Sequence, residues 1–411
     1  MIETKFKQTE LGLIPEDWEV CKIGDFTDIV TGATPSTENS DYWNGHIRWM
    51  NSSELNNKII FEVHGRISKE GYDSASTHML PTNCVLIGLA GQGKTRGTSA
   101  INKVELCTNQ SIGAILPSEN IDSDYLYLYM DGQYQKLRTI SSGDGGRGGL
   151  SKTLLLNFEI VKPNDIGEQK LVAEVLNDVD KLIRELDTLI EKKRSIMQGA
   201  MQDLLTARRR LPGFSQPWCQ TQLKRLVSMN SGGTPSTAES SYYGGNIPFL
   251  SISDITSSGK FLKYTTKSIT QLALENTSAR LFRKGTLVLS MYASIGKVCF
   301  VDTEVAISQA ILGFCPIESN LDINFLYYML LFSKEDLANS GQTGTQSNLN
   351  KNIVQNYTIS LPHTKEEQTA IASILSDMDA EIEELEAKRD KYIAVRQGMM
   401  QQLLTGKIRL I

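Results

Sequence analysis

The sequence has few of the side chains from which metal centres and disulfide frameworks are built. Its six cysteines include no pair separated by two residues, and its four histidines include no pair four positions apart. This pattern favours free thiols in a reducing compartment and argues against a structural zinc site. We therefore predict no metal and no cofactor in this chain.

Long apolar segments are also missing. No run approaches the roughly 18 apolar residues of a membrane span, and residues 1–19 are polar, without the apolar core of a signal peptide. We therefore expect a soluble, cytoplasmic protein. The net charge of −5 excludes a uniformly positive surface, so any contact with a nucleic acid must use local basic loops.

Recognisable catalytic sets are absent as well. The eleven prolines contain no Pro-Pro pair, which excludes an amino-methyltransferase motif of the Asn-Pro-Pro-Tyr type. The four scattered histidines cannot be assembled into a convincing hydrolytic set with serines and aspartates. We therefore predict that the chain is not an enzyme.

What the sequence does contain is an internal repeat with an offset of 199 to 200 residues. The matching segments are Trp18 with Trp218, Gly32–Thr37 with Gly232–Thr237, Glu168-Gln169 with Glu367-Gln368, and Leu204–Thr206 with Leu403–Thr405. The chain is thus predicted to be a tandem duplication in which globular and helical segments alternate. The predicted domains are 1–162 (globular), 163–211 (helix), 212–361 (globular) and 362–411 (helix).

The two helical segments are unusually long and amphipathic. In the first, apolar residues recur at heptad spacing: Val172, Val179 and Leu186 in one register, and Val175, Leu182, Leu189 and Ile196 in another. Such a stripe needs a partner helix along its length, and the second copy supplies one. The pairs Asp165/Glu168 and Thr364/Glu367 have the spacing of a capping box, while Pro212 and Gly406 are plausible stop signals. We predict two antiparallel coiled-coil helices, each roughly 60 Å long.

Within the globular halves, the patterns are short and mixed. Apolar runs at 85–87, 112–117, 286–289 and 311–316 favour strands, and segments 124–130 and 324–330 favour helices. The predicted fold class is therefore mixed α/β (α+β), with two tandem globular domains separated by the two helices and related by a pseudo-two-fold repeat.

Residues Gly88–Thr95 satisfy the pattern GxxxxGK[ST] of a phosphate-binding P-loop. The residues that follow, Arg96–Ser99, do not resemble a helix start, no Walker B strand stands out, and the second half replaces this loop with Ser290–Lys297. We favour a Gly-rich loop that presents Lys94, Thr95 and Arg96 to DNA, because such side chains contact phosphates and guanine edges.

A polar segment precedes each long helix, Ser141–Lys152 in the first half and Ser340–Lys351 in the second. Both segments are expected to lack apolar anchors, and both end in Leu-(Ser/Asn)-Lys. They are predicted to be mobile loops in which Arg147, Lys152 or Lys351 is free to meet an anion. The alternative is that they are solvated linkers.

Taken together, these motifs resemble the specificity subunits of type I restriction–modification systems. The resemblance is carried by Leu11–Trp18, by the Gly-x-Thr-Pro-Ser turns, by Asn109-Gln110 and Ser308-Gln309, by Leu150–Lys152, and by Glu-Gln near the start and Gln-Gly-x-Met-Gln-x-Leu-Leu-Thr near the end of each helix. It implies two target recognition domains, each reading one half of an asymmetric bipartite site in double-stranded DNA, with the helices setting the spacing.

The resemblance also implies partners. Two modification subunits would dock on the helices and bring S-adenosylmethionine to methylate adenine, and restriction subunits would add ATP- and magnesium-dependent activity. The rival functions are a coiled-coil scaffold that does not touch DNA and a nucleotide-dependent switch that uses Lys94. The predicted DNA-contacting residues are Thr34, Ser36, Lys94, Thr95, Arg96, Arg147, Lys152, Thr234, Ser236, Tyr292, Lys297, Thr345, Gln346 and Lys351.

Overall fold

The computed structural model describes residues 4–91, 93–141, 149–317, 320–340 and 349–410. Two compact units divide the chain: Met1–Asp187 with Ala387–Ile411, and Thr188–Glu386. These boundaries fall inside the two long helices, so each unit holds one globular part and a portion of both helices. The predicted domains separate globular parts from helices instead. No helix in the described ranges is long and apolar enough to cross a membrane.

The first unit contains short strands and short helices, followed by the first long helix. Its strands are β1 (Phe6–Thr9), β2 (Gly12–Pro15), β3 (Trp18–Lys22), β4 (Ile29–Thr31), β5 (Trp43–Met50), β6 (Ile59–Ile60), β7 (Arg66–Ile67), β8 (Val85–Gly88), β9 (Ser99–Asn102), β10 (Cys107–Thr108), β11 (Ile112–Ile115) and β12 (Glu159–Pro163). Its helices are α1 (Lys69–Ser74), α2 (Ser123–Gly132), α3 (Tyr134–Ile140), α4 (Lys152–Leu156) and the first part of α5 (Ile166–Leu205).

A five-stranded sheet forms the centre of this unit, in the order β4-β11-β8-β9-β6. All its pairs are antiparallel except β6 with β9, which are parallel. Strands β10, β5 and β7 form a second sheet, and β3 pairs with β12 just before the first long helix. Side chains of the central strands are buried throughout, as expected for a sheet with both faces covered.

The second unit repeats this plan. Its strands are β13 (Cys219–Gln222), β14 (Val227–Ser231), β15 (Tyr243–Leu250), β16 (Phe261–Leu262), β17 (Lys267–Ile269), β18 (Leu281–Phe282), β19 (Leu287–Ser290), β20 (Val298–Val301), β21 (Val305–Ile307), β22 (Ile311–Pro316) and β23 (Thr358–Leu361). Its helices are α6 (Leu223–Leu226), α7 (Ile252–Ser257), α8 (Gln271–Asn276), α9 (Ile323–Phe332), α10 (Lys334–Ser340), α11 (Lys351–Asn356) and part of α12 (Lys365–Leu403).

Its five-stranded sheet has the order β14-β22-β19-β20-β16, which matches the first unit strand for strand. The predicted duplication and the mixed α/β class are therefore confirmed. The predicted helices at 124–130 and 324–330 are confirmed as α2 and α9. Each begins at an aspartate, Asp122 or Asp322, whose carboxylate accepts a hydrogen bond from the first turn, from Tyr125 N at 2.9 Å and from Phe325 N at 3.0 Å.

The long helices α5 and α12 pack against each other in both units. In the first unit, Leu176 near the start of α5 shares a hydrophobic core with Leu403 at the end of α12. In the second unit, Met197 near the end of α5 shares a core with Ile371 near the start of α12. The helices therefore run antiparallel within each unit, as predicted.

Both helices are shorter than the predicted segments 163–211 and 362–411. At the N-terminal side of α5, Pro163 belongs to β12, which is held by β3. Beyond the C-terminal ends, Ala207 and Gly406 have φ values of 59° and 70°. A left-handed residue ends an α-helix by turning the chain back over its last carbonyl groups. The stop at Gly406 is confirmed, whereas the stop predicted at Pro212 comes too late.

The Glu-Gln pair near each helix start does something other than cap the helix. Glu168 is buried and accepts hydrogen bonds from Trp18 Nε1 at 3.2 Å and from Arg409 Nη2 at 2.6 Å. In the second unit, Glu367 accepts from Arg210 Nε at 2.8 Å and from Trp218 Nε1 at 3.3 Å. The capping-box interpretation is therefore wrong for these glutamates, because their carboxylates face residues distant in sequence. Asp165 does cap the start of α5, where it accepts a hydrogen bond from Gly167 N at 2.9 Å.

The adjacent glutamines tie each long helix to the globular part of its unit. Gln169 Oε1 accepts from the backbone N–H of Asp122 at 2.8 Å, and its amide donates to Pro163 O at 2.8 Å. In the second unit, Gln368 Oε1 accepts from Asp322 N at 2.9 Å. One buried amide thus joins the start of a long helix to the start of α2 or α9.

Candidate nucleic-acid interface

Three loops meet at one edge of the five-stranded sheet in the first unit. Strand β11 is antiparallel to both β4 and β8, so the start of β11 lies beside the ends of those two strands. The turn Gly32–Ser36 follows β4, the loop Leu89–Gly97 follows β8, and the segment Asn109–Ser111 precedes β11. We call this side of each sheet, with its three loops, the loop edge.

The Gly32–Ser36 turn is packed against the segment that precedes β11. A Cβ atom at Gly32 would lie 1.7 Å from the carbonyl oxygen of Thr108, so only glycine allows this approach. Thr34 Oγ1 donates to Gln110 Oε1 at 2.7 Å, while the hydroxyl-bearing side chains of Thr34 and Ser36 are exposed. The predicted residues Thr34 and Ser36 therefore lie together with the Asn109-Gln110 motif.

Two tryptophans, to which the sequence patterns gave no role, donate hydrogen bonds to the backbone of this turn. Trp43 Nε1 donates to Ser36 O and Trp49 Nε1 donates to Ala33 O, each at 3.0 Å. Their rings pack edge to face, with centroids 5.1 Å apart. The exposed side of the turn is thus built on a rigid aromatic pair.

The loop that resembles a P-loop closes as a hairpin. Gly97 N donates to Gly88 O at 2.8 Å, Gly88 N donates to Thr98 O at 2.9 Å, and β9 follows directly. A phosphate-binding P-loop would continue into a helix whose N-terminus faces the phosphates. A strand follows here, so the geometry does not favour a nucleotide site.

Among the predicted side chains of this hairpin, Lys94 is exposed, whereas Thr95 and Arg96 are half-buried. The loop therefore presents its ammonium group to solvent at the tip and its guanidinium closer to the body of the unit. Ammonium groups and exposed hydroxyl groups at one edge are suited to phosphate oxygens and to the edges of bases.

The polar segment before α4 is anchored to the same edge. Leu150 is buried, and its backbone N–H donates to Leu89 O at 2.9 Å. The expectation that this segment lacks an apolar anchor is therefore wrong, because Leu150 fills that role. Arg147 lies outside the described residues, so its predicted DNA contact stays a prediction.

Lys152 is placed differently from the prediction. Its ammonium lies 2.8 Å from Asp28 Oδ1, and this hydrogen bond holds the pKa of Asp28 below its usual range. Lys152 is also the first residue of α4, which Ser151 caps by accepting from Leu154 N at 3.1 Å. Lys152 is thus paired on the surface, with 45% of its side chain and 61% of that of Asp28 exposed, and its predicted contact with DNA stays a prediction.

The second unit brings its equivalent loops together in the same way. A Cβ atom at Gly232 would lie 1.7 Å from Ile307 O, and Gln309 N donates to Thr234 Oγ1 at 3.4 Å. Thr234 and Ser236 are both exposed. The predicted residues of this turn thus occupy the positions that Thr34 and Ser36 occupy in the first unit.

The remaining loops of the second unit are also anchored there. Met291 N donates to Ala310 O at 2.9 Å, and the buried Leu349 donates its N–H to Met291 O at 3.1 Å. Leu349 is the counterpart of Leu150, so the second polar segment has an apolar anchor as well. Thr345 and Gln346 fall outside the described residues, while Lys351 is exposed at the start of α11.

Tyr292 and Lys297 belong to the loop between β19 and β20. Tyr292 is partly exposed, and its carbonyl accepts from Ser290 Oγ at 2.9 Å. Lys297 is half-buried, and its ammonium donates to the carbonyl oxygen of Thr256. Desolvation lowers the pKa of Lys297. This lysine therefore supports its loop, in contrast to the exposed Lys94.

Among the described residues, no three His, Cys, Asp or Glu side chains are grouped so that they could hold a metal ion. Cys84, Cys107 and Cys299 are buried as free thiols, and burial raises the pKa of Cys107 and of Cys299 to about 11. These thiols serve as small apolar side chains of the core.

Known proteins are similar to this chain in sequence and in fold. Residues 15–193 and 216–393 match the type I restriction modification DNA specificity domain. The chain is similar to the specificity subunit of the type I restriction enzyme MjaVIII from Methanocaldococcus jannaschii, with 24% identity over 426 residues that cover 99% of this chain and 97% of the relative.

Solved structures with the same fold span nearly the whole chain. The type I restriction–modification S subunit from M. genitalium aligns with a TM-score of 0.64 and 15% identity over 97% of this chain and 98% of that one. A chain from a study of complex assembly and conformational transition in the type I R-M system aligns with a TM-score of 0.58 and 17% identity, over 96% of this chain and 99% of that one. Because the two matched domains cover most of the sequence, this chain belongs to the family of type I restriction modification DNA specificity proteins, the non-catalytic specificity subunits of their systems.

Proposed function

We propose that the chain is the DNA-recognition subunit of a type I restriction–modification complex, in which the loop edge of each unit reads one half of a bipartite double-stranded site. The observation that carries this proposal is the convergence of the same loops at the same sheet edge in both units. In both units the same kind of backbone hydrogen bond closes the loop, from Gly97 N to Gly88 O and from Gly296 N to Ser290 O, whereas the segments Leu89–Gly97 and Met291–Lys297 differ in sequence and in length. Different side chains on equivalent scaffolds support two different half-sites.

The partners follow from the same proposal. Two modification subunits dock on α5 and α12 and bring S-adenosylmethionine, and restriction subunits bring ATP and magnesium. The long helices set the spacing of the two half-sites. A scaffold without DNA binding would not need two matched loop edges that expose hydroxyl and ammonium groups.

The direct test is a map of methylated adenines in cells that express this chain with its modification subunits. We expect one asymmetric bipartite motif. Exchanging residues 1–162 for the equivalent segment of a relative with a different target is expected to change one half of that motif and keep the other half. A genome with no motif, despite assembled subunits, would contradict the proposal.

The purified chain by itself is expected to bind DNA without methylating or cutting it, because its sequence offers no catalytic set. Methylation is expected to appear only when the modification subunits are added. The measurement is incorporation of labelled methyl groups from S-adenosylmethionine into duplex DNA, with and without those subunits. Methyl transfer by the highly purified chain alone would overturn this prediction.

Lys94→Ala is expected to weaken binding at the first half-site because it removes an exposed ammonium group. A lysine that contacts one phosphate is expected to lower the slope of log affinity against log salt concentration by about one, with little change in base preference. The matched variant is Lys103→Ala, at the opposite end of the same sheet, whose ammonium binds Asp124 at 2.8 Å and Asn83 at 2.9 Å. We expect this variant to lower stability without changing the salt slope. Equal salt slopes for the two variants would show that Lys94 does not contact a phosphate.

A further inference from the structure

One face of α3 holds the backbone of the loop between β8 and β9 in the first unit. Tyr134 and Arg138 lie four positions apart, so they share a side of this helix. Tyr134 Oη donates to Lys94 O at 3.0 Å, and Arg138 Nη1 donates to Gly93 O at 2.7 Å. We call these two side chains the α3 clamp.

The clamp also locks its own members together. Arg138 Nη1 lies 3.2 Å from Tyr134 Oη and 3.5 Å from Arg96 O. The central carbon of the guanidinium lies 5.6 Å from the centroid of the Tyr134 ring, within the range of a cation–π contact. All of these contacts are made by Nη1, which carries two hydrogens, so the 2.7 Å bond to Gly93 O is the strong one and the 3.5 Å approach to Arg96 O is weak. Tyr134 and Arg138 together therefore hold the backbone at Gly93 and Lys94.

The end of the loop lies close to α3, and the second unit shares this feature, since a Cβ atom at Gly296 (φ 74°) would lie 3.0 Å from Lys334 of α10. Gly97 has a φ of 82°, and a Cβ atom there would lie 3.3 Å from atoms of Tyr134, Leu137 and Arg138. Glycine thus serves both the left-handed turn and the close approach of α3. The clamp fits one loop conformation, since its partners are three specific carbonyl oxygens.

The second unit holds its loop by other means. Its equivalent helix α10 has Lys334 and Ala338 at the clamp positions. The loop after β19 is instead tied to α7, where Thr256 Oγ1 and Ser294 Oγ lie 2.6 Å apart and Lys297 donates to Thr256 O. The α3 clamp is therefore specific to the first unit, although the scaffold is duplicated.

We propose that Tyr134 and Arg138 are positioning residues that set the base preference of the first half-site by fixing the conformation of residues 93–96. This inference rests on the proposed function. A side chain discriminates bases only when its donors are held within a fraction of an ångström of the base edge, so the anchoring of the loop decides the discrimination. The clamp acts through the loop, and its own groups are engaged with backbone carbonyls.

The test compares Arg138→Ala, Arg138→Lys and Tyr134→Phe in the full chain with its modification subunits. The readouts are methylation of a duplex library randomised at each half-site in turn, and the salt dependence of binding. We expect Arg138→Ala to lower base preference at the first half-site roughly tenfold, the order of one well-formed base contact. Preference at the second half-site and the salt slope are expected to stay unchanged. Tyr134→Phe is expected to have a smaller effect, and Arg138→Lys a partial rescue.

The matched control is Lys103→Ala. Lys103 follows β9 at the opposite end of the sheet, where its ammonium binds Asp124 at 2.8 Å and Asn83 at 2.9 Å. This variant removes one cation of the same unit and is expected to lower the melting temperature while base preference stays intact. It therefore separates a loss of stability from a loss of loop positioning.

Three results would overturn the inference. Arg138→Ala with an unchanged base preference would show that the loop needs no clamp. A salt slope lowered by about one with preference intact would make Arg138 a phosphate contact. An equal loss at both half-sites, shared by Lys103→Ala, would make the clamp purely structural. Failure of the proposed function is distinguished by the unaltered chain, which would then show no bipartite preference at all.

Discussion

Arg409→Ala is expected to destabilise the first unit by about 3–5 kcal/mol, the cost of leaving a buried charge without its partner. The Glu168 side chain is 1% exposed and that of Arg409 is 9% exposed. Without the guanidinium, the carboxylate retains only the Trp18 N–H among the partners described above. Arg409, near the C-terminus, thus binds the buried carboxylate at the start of the first long helix.

Urea unfolding of the purified chain measures this effect, with the change in midpoint converted through the slope. Arg210→Ala is the equivalent variant of the second unit, because Arg210 binds Glu367, whose side chain is 2% exposed. We expect a loss of the same order there. Arg208→Ala is the surface control, since Arg208 is 65% exposed and lies 4.0 Å from Asp203, and it is expected to cost less than about 1 kcal/mol. Equal midpoints for Arg409→Ala and Arg208→Ala would show that the buried cluster contributes no stability.

Gly32→Ala is expected to separate the Gly32–Ser36 turn from the segment that precedes β11. The added methyl group would overlap the backbone carbonyl of Thr108, which cannot move aside without breaking β10. We expect a loss of about 3 kcal/mol, the upper end of the usual cost of overpacking. Methylation directed by the first half-site is expected to fall together with the stability, while the base preference at the second half-site persists.

The control for this substitution is Gly199→Ala, in the last two turns of α5, which ends at Leu205. Nothing lies within 4 Å of a Cβ atom at Gly199, so alanine is expected to stabilise the helix by about 0.5–1 kcal/mol. Thermal unfolding and the methylation pattern together check both variants. If Gly32→Ala left stability and pattern unchanged, the close approach at Thr108 would have no role in shaping the loop edge.

The features that depend on periodicity and repetition could be predicted from the sequence alone. Heptad spacing predicts the paired helices, because an amphipathic stripe needs apolar partners along its length. The predicted registers are only partly buried, since Leu189 and Ile196 are 38% and 47% exposed. The offset repeat predicts two equivalent globular parts, and short apolar runs bounded by glycine predict the central strands. The residues after Thr95 predict that the P-loop pattern leads into something other than a helix, and the β8–β9 hairpin agrees with this.

Only the tertiary structure decided where individual polar side chains go. Glu168 and Glu367 have the spacing of helix caps, yet burial beside Trp18 and Trp218 gives them arginine partners far away in sequence. Leu150 and Leu349 sit in polar segments, but the sheet edge offers each of them a backbone partner and a core. A local pattern reports the possible partners of a group within one turn or one strand. The partner that the polar group takes in the folded chain is set by the free energy of its burial, and long-range packing determines that burial.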